Sequence, residues 1–375
     1  VFGKKFRLFK LFGFEVGVDL SWIILAILIA WSLSTGVFPF KYQNLSTRTY
    51  WLMGVVGAIG LFVSIIAHEF CHSLVARQRG VAMKGITLFI FGGVAEMGNE
   101  PPNAKDEFVI AAVGPLSSFC IAAGFYALFA IGDQGDWKPA INGVIGYLAM
   151  INGLLGGFNL VPAFPLDGGR ILRSILWGWK KDLRWATRTS STIGVGFGYF
   201  LIFLGVLRVV SENFVGGMWF FLLGMFVQSA AKMSYQQLIT RNALEGEPLK
   251  RFMQTDAVTV APSISLQELV EDFIYRYHFK FFPVVEDGKL LGCITTKQVR
   301  AIPREEWSER KVGQFAKNCS GENTISPDAD AIQALSVMRR NNASRLMVVA
   351  QGRLVGIVSL KDMLEFLALK VELDK

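Results

Sequence analysis

The stretch GLFVSIIAHEFCHSLVARQ, residues 60–78, decides how the rest of the chain is read. It is an apolar run interrupted by His68, Glu69 and His72, in the spacing HExxH. On a helix, residues i and i+4 share a face, so the two imidazoles can reach one Zn²⁺. Glu69 is offset from that face, yet close enough to serve a water as general base. Ionisable groups inside an apolar helix are costly and point to function. The chain has 3 histidines and 2 of them stand here, so a chance pattern fits poorly. Cys71, inside the motif, reads as a packing residue.

Outward from this stretch the sequence divides into two regimes. Overall it is 52% hydrophobic and 18% charged, against about 25% charge in an ordinary soluble chain. Up to about residue 235 the apolar runs are long; beyond it the composition is that of a soluble domain. Six runs approach the ~20 residues that cross a bilayer: 17–34, 50–76, 107–131, 140–162, 190–210 and 214–232. Lys and Arg alternate between the connecting segments. Four (Lys4, Lys5, Arg7, Lys10) precede the first run and read as a retained cytosolic anchor, four lie in 77–106 and six in 170–188. The opposite loops carry Lys41 and Arg48, then Lys138. The positive-inside rule therefore predicts both termini in the cytosol. His72 stands five residues before Arg77, which puts the motif roughly 7–8 Å inside the basic boundary.

A catalytic zinc takes three protein ligands and keeps a position open. Asp167 is the candidate third ligand, in NLVPAFPLDGGR at 159–170. Pro162 and Pro165 are expected to break the fourth span there, and Gly168 and Gly169 to let the backbone turn tightly. Residues 85–98, GITLFIFGGVAEMG, are too short to span and rich in β-branched residues and Gly. They read as a re-entrant loop or hairpin packed on the helices, since lipid does not tolerate exposed irregular backbone.

HEFCH, NLVPAFPLDGGR, the six spans and the GGV-containing loop together resemble the site-2 protease family of intramembrane metalloproteases, over residues from about 1 to 235. The resemblance implies a polytopic α-helical membrane domain with His68, His72 and Asp167 as Zn²⁺ ligands and Glu69 as base. It also implies that Asn159 holds the substrate backbone or the developing oxyanion. The 85–98 loop would match the family's hairpin, with Gly92 and Gly93 on an edge that pairs with an extended substrate strand. Gly114-Pro115 matches a family pattern that a helix kink explains equally well. Single-span membrane proteins would be the substrates, in a cell membrane of prokaryotic source.

The region after Tyr235 repeats itself. Phe-Pro-Val-Val at 282–285 and Leu-Met-Val-Val at 346–349 are 64 positions apart, as are Gly292-Cys-Ile-Thr295 and Gly356-Ile-Val-Ser359. Each unit reads as a strand, an amphipathic helix, two strands joined at Asp-Gly or Gln-Gly, and another helix. The expected organisation is a membrane domain 1–235, a linker 236–247, repeats at 248–303 and 312–368 joined by 304–311, and a tail 369–375. This cytosolic α/β tandem module resembles a pair of cystathionine-β-synthase-type (CBS) domains. Ser359-Leu-Lys-Asp362 keeps the ribose-contacting Ser/Thr-x-x-Asp pattern, while Thr295-Thr-Lys-Gln298 loses the carboxylate. The resemblance implies one site for ATP, ADP or AMP built on Ser359 and Asp362, with Thr295 as the weaker counterpart. A homodimer through the pair, with or without ligand, is the other expectation.

The net charge of +8 comes mostly from residues that flank apolar runs, where headgroups attract them. No basic stripe with interleaved aromatics is present, so no nucleic-acid partner is expected. The four cysteines, Cys71, Cys120, Cys293 and Cys319, form no CxxC pair and give no disulfide framework. Two other readings compete. A nucleotide-gated transporter needs ion-lining polar residues, and the spans offer one clustered site instead. A catalytically silent relative would have lost Glu69 or a ligand, and all are present.

Overall fold

The computed structural model describes residues 5–81, 83–89, 92–97, 100–211 and 214–373. Lys4 of the expected anchor, and Ile90, Phe91 and Gly98 of the expected loop, lie outside the described residues. The chain divides into two units, Val1–Gln236 and Gln237–Lys375.

In the first unit, the basic segment expected as an anchor contributes to a hairpin: β1 (Lys5–Leu11) and β2 (Phe14–Asp19) pair antiparallel around Phe12 and Gly13, both at positive φ. The signal was the alternation along β2, where Phe14, Val16 and Val18 are buried and Glu15 is exposed. Asp19 then caps α1 (Leu20–Ser32), accepting from Ser21 N at 3.0 Å. The first span accordingly starts three residues later than position 17. A π turn (Leu33–Val37) and α2 (Phe38–Lys41) carry it to Lys41. Pro39 in the first turn of α2 lacks an N–H, which disturbs the i→i−4 ladder there.

The other five membrane-length helices are α3 (Thr47–Gln78), α4 (Ala104–Gln134), α5 (Pro139–Asn159), α7 (Leu183–Val210) and α8 (Phe214–Leu244). Six spans are therefore present among the described residues. α5 stops at Asn159, short of residue 162, because Pro162 pushes the residue before it away from helical geometry. α7 begins seven residues before 190, where Asp182 accepts from Trp185 N at 2.9 Å. Between α5 and α7, part of the basic segment 170–188 is a helix, α6 (Asp167–Lys180).

β3 (Met83–Phe89) and β4 (Gly92–Met97) form the hairpin, with Leu88 opposite Gly93 and Phe89 opposite Gly92. β2 pairs parallel with β3, giving a four-stranded sheet in the order β1-β2-β3-β4. Its inner face packs on α3 through Phe14, Val16, Val18, Ile86, Leu88 and Phe70. Each fully buried side chain of this size is worth roughly 1.5–3 kcal/mol of transfer free energy, so the sheet is held on the residue next to Glu69.

In the second unit, the expected linker 236–247 is corrected. α8 continues through Leu244, which is buried in the core of this unit with Leu249, Leu346 and Val358. One sheet runs β5 (Met253–Gln254), β11 (Arg353–Ser359), β10 (Arg345–Ala350), β9 (Thr324–Ile325). The other runs β6 (Phe281–Glu286), β7 (Lys289–Thr295), β8 (Lys317–Asn318). β5 of the first repeat pairs with β11 of the second, and its counterpart β8, 64 positions on, pairs with β7 of the first. Each repeat thus lends its leading strand to the other. The turns Asp287-Gly288 and Gln351-Gly352 hold positive φ at both residues, the geometry that matches the twist of a two-residue hairpin. Short helical segments follow the strands: α9 (Leu266–Glu268), α10 (Tyr275–Tyr277) and α11 (Thr296–Arg300) in the first repeat, α12 (Ala331–Arg340) and α13 (Leu360–Leu373) in the second.

Candidate metal centre

α3 supplies His68, Glu69 and His72, and α4 lies alongside it. Glu107, Ile110, Gly114 and Ser118 recur on α4 every three or four residues, which puts them on one stripe. His72 Nδ1 donates to the Ile110 carbonyl at 2.6 Å, and His68 Nδ1 lies 2.8 Å from Ser118 Oγ. A carbonyl only accepts, so the proton of a neutral His72 sits on Nδ1 and its Nε2 keeps a lone pair. The stripe therefore turns both Nε2 atoms the same way, 3.2 Å apart. Asp167, the first residue of α6, brings Oδ2 to 3.0 Å from His68 Nε2 and 3.1 Å from His72 Nε2.

Both histidines are buried and Asp167 nearly so. Two imidazole lone pairs and a carboxylate oxygen facing one another would repel in such a place, and a cation between them removes the conflict. Ligands 2.0–2.1 Å from a tetrahedral zinc are about 3.4 Å apart, close to the spacing here. Two nitrogens and one carboxylate with a position to spare is the donor set of a catalytic zinc site. His68, His72 and Asp167 also form the one group of three possible metal ligands among the described residues.

Glycine makes this packing possible at two places. A Cβ on Gly114 would strike His72 Nε2 and come within 2.8 Å of His68 Nε2. This close approach, rather than a kink alone, is what Gly114-Pro115 contributes. Gly168 and Gly169, expected to let the backbone turn tightly, lie inside a helix instead. They are helical residues of α6, and side chains there would strike the backbone of Leu160, Val161, Ala163 and Phe164. The start of α6 is thereby pressed onto the 160–164 turn, which aims Asp167 at α3.

Glu69 is half-buried, and its main-chain carbonyl accepts from Ser73 Oγ at 2.9 Å. Gly93 of β4 crosses it, a Cβ there falling 2.6 Å from Glu69 Cγ and 3.1 Å from Oε1. Gly92 stands next to Gly93 at the start of β4, opposite Phe89. Asn159 ends α5, half-buried, and makes no hydrogen bond to the triad among the described residues.

In the second unit, Ser359 Oγ donates to Asp362 Oδ2 at 2.7 Å and accepts from Asp362 N at 3.2 Å, while Gln254 donates to the same carboxylate oxygen at 3.1 Å. Thr295 and Gln298 form the equivalent capping box at the start of α11. These positions, Ser-x-x-Asp in one repeat and Thr-x-x-Gln in the other, thus have a local structural use in both. What sequence reasoning missed in the first unit is the support: Ser118, the Ile110 carbonyl, and Arg173 buried against Glu107. The i, i+3, i+4 spacing along α4 was the available signal.

Two family models match the chain: peptidase family M50 at residues 56–134 and 131–205, and the CBS domain at 249–304 and 321–369. A zinc metalloprotease of Methanocaldococcus jannaschii is 32% identical over 98% of this chain and 98% of its own. Rip3 of Mycobacterium tuberculosis, named as a candidate zinc metalloprotease, is 35% identical over 94% of this chain and 90% of its own. The chain belongs to peptidase family M50, the site-2 protease family. A solved site-2 protease from Methanocaldococcus jannaschii is 30% identical and covers 62% of this chain and 95% of its own, with a TM-score of 0.45. This M50 chain is a zinc metalloendopeptidase and a multi-pass membrane protein that carries a tandem CBS pair.

Proposed function

We propose that this M50 protease hydrolyses peptide bonds in or near the membrane spans of single-span proteins, with His68, His72 and Asp167 holding the zinc. The observation that carries the reading is the convergence of these three side chains beside Glu69 of a membrane-length helix, whose His72 stands six residues from its end at Gln78. Zinc, when bound, supplies a Lewis acid that brings the pKa of a water to about 7. Glu69 is the base that receives the water's proton and later returns it to the leaving amine. Ser118 and the Ile110 carbonyl keep the imidazoles turned so that Nε2 faces the site. Asn159, on the opposite side of the turn that carries Asp167, is assigned to the substrate carbonyl or backbone.

A helical substrate hides its amides in internal hydrogen bonds and has to unwind before it is cut. β4 is one of the two edge strands of its sheet among the described residues, and an edge offers N–H and C=O groups to an extended partner. The hairpin is read as dipping into the membrane beside Glu69, with Gly92 and Gly93 meeting the unwound segment. Both termini are assigned to the cytosol by the distribution of Lys and Arg.

The CBS pair is assigned one adenine nucleotide, ATP, ADP or AMP, at Ser359 and Asp362, with Thr295 as the lesser counterpart. Nucleotide binding then modulates cleavage. A homodimer through the pair accords with the exposed Leu364 and Leu369 on α13. Mass mapping of the products from a tagged single-span substrate tests the main reading. Cleavage inside or at the border of the span supports it, and cleavage confined to soluble loops refutes it.

A further inference from the structure

Arg173 is almost completely buried, at 5% exposure, two turns along α6 from Asp167. Its Nε donates to Glu107 Oε1 at 2.6 Å, and Nη2 bonds the same oxygen as well as Glu100 Oε2 at 2.9 Å. Its guanidinium also lies 5.3 Å from the ring centroid of Phe164, in the turn before Asp167. Arg170 Nε stands 3.9 Å from Glu107. Glu107 is fully buried on the α4 stripe that also carries Ile110 and Ser118. Glu100 is three residues beyond the end of β4 and 38% exposed.

One side chain therefore joins three parts of the site. They are the helix that bears Asp167, the helix that orients both imidazoles, and the exit of the hairpin that crosses Glu69. Burying a guanidinium is costly unless its donors are all matched, and a planar fork can serve two carboxylates where an ammonium serves one point. We propose that Arg173 is a positioning residue with two separable arms. The Glu107 arm sets the register of α6, and so of Asp167. The Glu100 arm is a latch that holds β3–β4 down over Glu69. The effect of the latch on substrate rests on the assignment of β4 as the strand that pairs with it.

The test uses the full chain in detergent, as Glu100→Gln and Arg173→Lys, because Arg173→Ala leaves Glu107 buried without its partner and is liable to unfold. Zinc content, amide hydrogen exchange at 83–89 and 92–97, and KM against kcat for a single-span substrate are measured. Glu100→Gln is expected to keep one zinc per chain and to exchange the hairpin amides about tenfold faster or more, as local opening becomes easier. Arg173→Lys, which alters both arms, is expected to lose zinc as well, and full zinc in it overturns the Glu107 arm. In Glu100→Gln, KM should rise about fivefold or more with kcat within about twofold, the mark of lost binding rather than lost chemistry. Faster exchange with unchanged KM supports the latch and refutes substrate pairing on β4. Hairpin exchange within about twofold of the unaltered chain in Glu100→Gln, with zinc retained, overturns the latch. Loss of zinc in Glu100→Gln overturns the separation into two arms.

Discussion

The backbone of Gly93 lies over the side chain of Glu69, so close that a Cβ at position 93 would fall 2.6 Å from Glu69 Cγ. The two residues belong to different kinds of structure, an edge strand and a membrane-length helix. Their contact is where the strand proposed to meet substrate and the residue proposed as base come together. The sheet is pinned there by the packing of Phe70, the residue after Glu69, against Phe14 and the strands around it.

Gly93→Ala should therefore lift the strand or turn Glu69 aside. A displacement of about 1 Å costs on the order of a hundredfold in rate when it disturbs a reacting group. Cleavage is expected to fall by about that factor with zinc content unchanged. Parallel zinc analysis and cleavage assays check this, and an active Gly93→Ala enzyme contradicts the contact.

Gly114→Ala aims at the metal instead. The added methyl would occupy the place of His72 Nε2, so zinc should be lost along with activity. Gly124→Ala is the control on the same helix, since nothing lies within 4 Å of a Cβ there. It should retain full zinc, measured by elemental analysis of the purified chains.

The second unit offers a pH test outside the membrane. The hydrogen bond from Lys370 at 2.7 Å, with Arg251 also near, holds the Glu247 carboxyl below its ordinary 4.5. A depressed carboxylate contributes stability above its unfolded pKa and loses it as pH falls through its folded one. Glu247→Gln should thus lower the melting temperature of the tail at pH 7. The difference from the unaltered chain should shrink below pH 4.5 and disappear at lower pH. A difference independent of pH would show that the ion pair is not its source.

Asp362→Asn separates nucleotide binding from helix capping, because the amide oxygen still accepts from Ser359 while the charge is gone. One AMP per chain is expected by calorimetry, weakened about tenfold or more in the variant. Equal affinity in both would remove Asp362 from the ligand site.

Much of this was legible in the sequence. HExxH and a carboxylate placed behind two prolines name the triad, because ligand chemistry restricts residue type and helical period restricts spacing. Span positions follow from hydropathy, but their ends do not. Asp19 and Asp182 start helices as caps, and a hydropathy pattern does not register a cap. The β1–β2 hairpin was hidden by its basic residues, which read as an anchor although Phe14, Val16 and Val18 alternate toward the core. The supports of the site were legible only as a periodic stripe on α4, for another reason. Ser118 and Glu107 gain meaning from helices that meet in space, and nothing in their local sequence marks what they touch. Asp362 shows the opposite limit: one short pattern suits either a helix cap, which it forms here, or a ribose contact, and sequence alone does not choose.

The most direct measurement compares the unaltered chain with Glu69→Gln for zinc content and for cleavage of a tagged single-span substrate in detergent. One zinc in each, with cleavage abolished in the variant, is the predicted result and identifies Glu69 as the base. Cleavage that survives in Glu69→Gln, or a purified chain without zinc, would contradict the account.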